Sequence, residues 1–265
     1  MRIALGVEYD GSAFCGWQTQ PSKCAVQDAL ESALGAVANE PIASCCAGRT
    51  DAGVHAYGQV IHFDSTAARP LSAWVRATNA LLPPAVAALW AVPMEEGFHA
   101  RYSARKRHYR YVLLNHPLRP AVHQGRVGWF HLPLDINPMR EAARCLIGQH
   151  DFSAFRSAQC QAKSPVREVT HLDIRRYGDY LVFDLAANAF LHRMVRNIVG
   201  SLIYVGKGKY RPERIETLLL GGKREEAAPP AQAAGLYLLS VDYEPAWGIP
   251  SSTRSFWLME DERQG

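Results

Sequence analysis

The chain of 265 residues contains no apolar run approaching the roughly 18 residues of a membrane span. Acids at Glu8 and Asp10 interrupt any signal-peptide core near its start, so no export is expected and the cytoplasm is the expected compartment. Its six cysteines, Cys15, Cys24, Cys45, Cys46, Cys145 and Cys160, form no Cys-x-x-Cys pair and are too sparse for a disulfide framework, so they read mostly as buried or half-buried thiols. The ten histidines are scattered without zinc-motif spacing, and neither a metal nor a cofactor is expected. The most informative scarcity is of acids. Net charge is only +4, yet residues 97–134 hold no Asp or Glu while Arg101, Arg105, Lys106, Arg107, Arg110, Arg119 and Arg126 accumulate there. A second acid-free run, residues 185–212, carries Arg193, Arg196, Lys207, Lys209 and Arg211. Tyr102, Tyr109 and Tyr111 interleave the first run, and cations mixed with stacking rings suit a polyanion that also presents bases. The bland alternative is two solvated faces.

What is present is an ordinary globular composition, 48% hydrophobic and 20% charged, long enough for one large or two modest domains. Alternation over residues 2–9 predicts a strand, the stripe Val26, Ala29, Leu30, Ala33, Leu34 and Val37 predicts a helix over 25–39, and strands follow at 42–47 and 57–64. A second helix starts at Ser72 and stops at Pro83-Pro84, and residues 86–92 make another strand. This order, βαββαβ, is that of a ferredoxin-like half. The second half repeats it with a strand at 107–115, a short partner at 127–130, and a helix capped by Asn137 and closed by Gly148. A hairpin of strands at 166–176 and 180–187, helices at 190–205 and 212–220, and a strand at 235–243 complete it. The expected fold is therefore α+β, two tandem ferredoxin-like halves (1–100 and 101–245) joined into one mixed, mainly antiparallel sheet, with helices on one face and a central RNA-binding cleft on the other. Residues 151–168 read as an irregular binding arm within the second half. Residues 246–265 read as a poorly ordered tail, although Trp247, Phe256 and Trp257 are able to pack on the body.

Between the strands at 42–47 and 57–64 lies Gly48-Arg49-Thr50-Asp51-Ala52-Gly53-Val54-His55-Ala56. Two glycines permit a sharp turn and a close approach to a ligand, with Asp51 near the apex and Arg49 and His55 beside it. Local chemistry alone leaves open an Asx-turn in which Asp51 only bonds its own backbone.

This nine-residue string, with Gly58-Gln59-Val60 after it, resembles the catalytic motif of the tRNA pseudouridine synthase A family. The likeness extends to Lys106-Arg107-His108-Tyr109-Arg110-Tyr111, to Asp151-Phe152-Ser153-Ala154-Phe155-Arg156, and to Phe190-Leu191-His192-Arg193-Met194-Val195-Arg196-Asn197-Ile198-Val199-Gly200. It covers nearly all of residues 2–245. The resemblance implies conversion of uridine to pseudouridine at positions 38–40 in the anticodon stem-loop of tRNA, by a homodimer without metal or cofactor. It implies Asp51 as the catalytic carboxylate and nucleophile, with attack on C1′, attack on C6 and removal of the C2′ proton all still open to it. It implies Arg196 as the cation paired with Asp51, Tyr109 as the ring against the target base, and Arg49 as the residue that helps eject that base. His55 joins them as a substrate-binding candidate, and Trp17, Arg105, Lys106, Arg107 and Arg156 as RNA contacts. Arg193 reads as a surface residue.

Two other classes remain to be weighed. A non-catalytic RNA-binding module would gain nothing from a carboxylate facing phosphates. A glycosidase-like hydrolase would need a second acid, and Asp64 stands at the far end of a strand from Asp51.

Overall fold

Strand β1 (Arg2–Tyr9) pairs antiparallel on one side with β3 (His55–Asp64) and on the other with β4 (Val86–Met94), and this flanking on both sides explains its almost continuous burial. The structure, a computed structural model, describes residues 1–250. The short β2 (Ser44–Cys46) joins the outer end of β3. Helices α1 (Val26–Ala38) and α2 (Leu71–Leu81) fill the two crossovers.

The second half is built on β5 (Ala104–Asn115), which lies between β9 (Tyr180–Ala187) and β10 (Leu236–Tyr243), with β8 (Val166–Tyr177) beyond β9. The complete order is β4-β1-β3-β10-β5-β9-β8-β7, where β7 is Gly148–Asp151, and β6 (Gly128–Phe130) pairs with β5. Both halves place their four main strands in the same fourth-first-third-second order. The halves meet where β10 runs parallel to β3, with Tyr237 opposite His55 and Leu238 opposite Ala56. Parallel pairing at this seam, and of the short β6 with β5, makes a mainly antiparallel sheet mixed.

Alternation along β5 separates two apolar groups. Tyr109, Tyr111 and Leu113 share one core with helix residues Leu30, Trp74, Met139 and Ile198, whereas Val112 and Leu114 join Val127 and Tyr237 on the opposite face. Helices α3 (Ile136–Arg144), α4 (Met194–Gly206) and α5 (Glu213–Leu219) cover the second half on the first of these faces.

Several boundaries differ from the sequence expectation for local reasons. Asp135, not Asn137, caps α3, because its carboxylate accepts the Asn137 N–H; the helix ends at Arg144, and Gly148, at φ +107°, opens β7. Helix α4 starts four residues late because Arg193 adopts φ +63°, a left-handed conformation that no helix can pass through. Cys15 and Cys24, expected as thiols, form a disulfide with Cα atoms 5.5 Å apart. The loop between them folds back so that Cys15 N–H donates to Cys24 O, a proximity that cysteine counting does not detect. The arm after β7 is anchored by Phe152 and Phe155, both fully buried. Trp247 packs edge-on against Phe98 with centroids 5.3 Å apart, while Phe256 and Trp257 lie outside the described residues. Among the described residues no helix is long and apolar enough to cross a membrane.

Candidate active site

The loop from Ala47 to Val54 is held from several directions. Gln59, fully buried on β3, donates from Nε2 to Gly48 O at 2.6 Å and accepts from Gly48 N–H at 3.3 Å, so one amide fixes both polar groups of that glycine. Thr50 is buried, with Oγ1 2.9 Å from the Tyr9 hydroxyl, and Thr50 O accepts the Trp17 N–H. Gly16 packs so closely beneath that a Cβ there would stand 3.0 Å from Thr50 O and 3.2 Å from the Asp51 carbonyl carbon. Gly53, at φ +78°, completes the turn in which Val54 N–H bonds Asp51 O. The Asp51 side chain is thereby presented by a backbone with little freedom to move.

Three groups around the first turn of α4 meet that carboxylate. Arg196 Nη1 donates to Oδ2 at 2.7 Å while its Nε donates to Ala231 O at 2.8 Å, so the guanidinium is aimed by a second bond. His192 Nε2 lies 3.0 Å from Oδ1. Arg193 Nε lies 3.9 Å from Oδ2. With partners on both oxygens the plane of the carboxylate is defined, and its side chain keeps 17% exposure through which a substrate atom can approach. Such a group can add to an electrophilic carbon or take a proton, and it needs no reorganisation first.

Tyr109 stands beside the loop. Its hydroxyl lies 3.7 Å from where a Cβ would sit on Gly48, its ring meets Phe190 edge-on at 5.0 Å, and burial pushes its phenol pKa up. Tyr111, two residues on, is wholly buried in the core, where its hydroxyl excludes any side chain at Gly128. Tyr109 shares its face with Tyr111, and the carboxylate's partners come from the start of α4 and the two residues before it.

Arg49, Arg105 and Lys106 are exposed and Arg156 half-exposed, with Arg105 in an ion pair with Glu244. Three other expected contacts lie elsewhere. Trp17 is 1% exposed and packs on Tyr9, so it props the loop and cannot reach RNA. Arg107 is buried, donating to the carbonyls of Ala47, Arg101, Ala104 and Asn188; the structure uses it to tie β5 to the loop. His55 is buried against Tyr237, accepts the Gly11 N–H at Nδ1, and has Nε2 within 3.2 Å of Gly125 O and Ala234 O. It fastens the start of β3 to three segments. Sequence reading passed over His192, although it stands four residues before Arg196, and took Arg193 for a surface residue, whereas its Nε approaches Asp51.

Cys45, His62 and His99 bring possible ligand atoms within 4.8 Å of one another. Their hydrogen bonds oppose coordination. Nδ1 of His62 accepts the Ala100 N–H, and Nδ1 of His99 accepts those of Arg101 and Tyr102. Each Nε2 therefore carries the proton, and a metal there would require an imidazolate.

Comparison with known proteins places the chain among sequence relatives. A family model described as tRNA pseudouridine synthase matches residues 6–103 and 142–244. The chain is 56% identical to tRNA pseudouridine synthase A of Dechloromonas aromatica over 97% of its own length and 98% of that protein's. It is 53% identical to the Methylobacillus flagellatus protein of the same name (96% and 97% covered) and 54% identical to that of Thiobacillus denitrificans (96% and 97%). A solved chain described as "Crystal Structure of a Cbf5-Nop10-Gar1 Complex" aligns at 12% identity and TM-score 0.34, over 88% of this chain and 47% of that one, too distant to carry an argument.

Proposed function

The chain belongs to the tRNA pseudouridine synthase family, and from that premise we propose that it isomerises uridine to pseudouridine at positions 38–40 in the anticodon stem-loop of tRNA, with Asp51 as the catalytic nucleophile. The observation that supports this reading is the Asp51 carboxylate held between Arg196 and His192 in a braced loop, beside the Tyr109 ring.

The reaction breaks the bond from uracil N1 to ribose C1′, turns the base and joins C5 to C1′; C5 gives up its proton and N1 takes one up, so the product is an isomer of the substrate. It balances with no redox partner. A buried base has to leave its stack first, and Arg49, exposed in the catalytic loop itself, assists that step. Asp51 acts at the sugar–base junction, Arg196 and His192 hold it in line, and Tyr109 bounds the space for uracil. Exposed Lys106 and half-exposed Arg156 meet the RNA backbone. The enzyme works in the cytoplasm as a homodimer: a chain of 265 residues has a radius of gyration of about 18 Å, smaller than the span of a whole tRNA.

Unmodified tRNA carrying tritium at uracil C5 tests the proposal. Release of tritium to water on incubation is expected, confined to tRNAs with uridine at those positions. Full retention of tritium with a well-folded protein would sink it. Sedimentation of fully active protein as a monomer at micromolar concentration would remove the dimer alone.

A further inference from the structure

Beside the catalytic loop a row of rings runs from the core into solvent. His62, buried on β3, has its ring centroid 4.6 Å from that of His99, and His99 lies 4.3 Å from Tyr102 at an interplanar angle of 32°. Tyr102 is 76% exposed, a large ring left in water. The turn that carries it is nevertheless fixed, since His99 Nδ1 accepts the backbone N–H groups of both Arg101 and Tyr102, at 3.1 and 3.2 Å, and the ring itself rests on the His99 ring. His62 Nδ1 in turn accepts the Ala100 N–H at 3.1 Å. Burial lowers the pKa of both imidazoles, that of His62 to about 4, so the two rings behind Tyr102 are neutral at neutral pH.

The row is tied to the active site by one nitrogen. Arg107 Nη2 donates to Arg101 O at 2.6 Å and to Ala47 O at 3.0 Å, so the turn that carries Tyr102 and the residue before Gly48 share a single guanidinium. An exposed cation flanks the ring. Arg101 Cζ lies 5.6 Å from the Tyr102 centroid, and Arg101 and Arg49 are both close enough to Cys45 for their charge to act on its thiol.

We propose that Tyr102, backed by His99 and His62 and flanked by Arg101, is a stacking platform for one unpaired base of the RNA substrate, adjacent to the uridine held at Asp51. The inference rests on the RNA reading above. A ring held in place before binding loses little entropy when a base covers it, and every base offers a π-face, so this subsite is tolerant of sequence. Arg101 takes the phosphate of the same nucleotide. The ring covers only His99 on one side and leaves its other face to solvent, where a base can lie.

The test uses the wild-type protein and the variants Tyr102→Phe, Tyr102→Ala and Arg101→Ala, with an unmodified tRNA transcript, measuring affinity across a salt series and tritium release. Tyr102→Ala is expected to raise Kd and KM by about 5- to 150-fold, the range for one lost base–aromatic stack, with kcat at saturating tRNA kept. Tyr102→Phe, which retains the ring, is expected to behave as wild type. The slope of log K against log salt should be unchanged in both, whereas Arg101→Ala should make it shallower by roughly 0.7 to 0.9, one phosphate's worth. The proposal is overturned if Tyr102→Ala binds as wild type, if Phe is as damaged as Ala, or if the loss appears in kcat with KM unchanged. Failure of the parent reading looks different: wild-type protein would then release no tritium, while the affinity ratios would still report on the platform.

Discussion

Asp51 and Arg196 stand 145 positions apart and meet at 2.7 Å, which makes them the sharpest point of contact between sequence reasoning and the folded chain. Their pairing followed from two motif strings, because a nine-residue match around a carboxylate carries chemistry that local turn propensities do not. His192 and Arg193 were harder to see. A residue four before Arg196 would share its side of a helix, but the left-handed turn at Arg193 that brings His192 to Oδ1 is a strained backbone state that no side-chain pattern announces. Trp17 and Arg107 misled for the opposite reason, since aromatic and cationic side chains serve RNA and interior bracing equally well. The prediction at this scale concerns the pair. Asp51→Asn keeps the shape and removes the charge, so tRNA affinity should stay within about twofold of wild type while turnover disappears. Arg196→Lys keeps the charge, but a single ammonium does not reproduce the fork that bonds both Asp51 and Ala231 O. One charge-assisted bond is worth about 1.5–3 kcal/mol, so kcat should fall roughly 10- to 150-fold with folding intact. An Asp51→Asn protein that still turns over, or an Arg196→Lys protein with undiminished kcat, would show that the pair has been assigned the wrong part.

Among the elements, the repeated strand order was readable because hydrophobic alternation and helical stripes are local signals, and two copies of βαββαβ support each other. The seam between the copies was not. Parallel pairing of β3 with β10 joins residues about 180 positions apart, and what allows it is the absence of a side chain at Gly58. A Cβ there would stand 2.4 Å from Leu239 O on β10, and backbone on the facing strand has nowhere to go. Gly58→Ala should therefore push the halves apart at the place where Asp51, from one half, meets Arg196, from the other. Overpacking of this kind costs about 1–3 kcal/mol, read as a lower denaturation midpoint at unchanged m-value. Because the displacement falls on the seam, kcat should drop in protein that is still folded. A folded Gly58→Ala variant with wild-type kcat would mean that the seam does not control the site geometry.

For the molecule as a whole, the charge pattern was visible as two runs without acids, but a sequence assigns every arginine in a run the same weight. The structure separates them. Arg107 spends its guanidinium on four backbone carbonyls, Arg110 is bonded to Asp184, and Arg105 is paired with Glu244, whereas Arg101 and Lys106 are exposed. Fewer cations reach phosphate than the runs contain, so the dependence of tRNA affinity on salt, though steep between 50 and 200 mM, should be weaker than a count of arginines implies. Two alanine substitutions within one run separate these roles. Lys106→Ala should make log K against log salt shallower by roughly 0.7 to 0.9 and leave stability nearly unchanged, as for any exposed cation at a phosphate. Arg107→Ala should leave that slope as it is and lower the unfolding free energy by about 1–3 kcal/mol or more, because carbonyls that it satisfies in the interior lose their donor. Equal salt slopes lost in both variants, with no loss of stability in Arg107→Ala, would restore the uniform basic face that the sequence alone suggests.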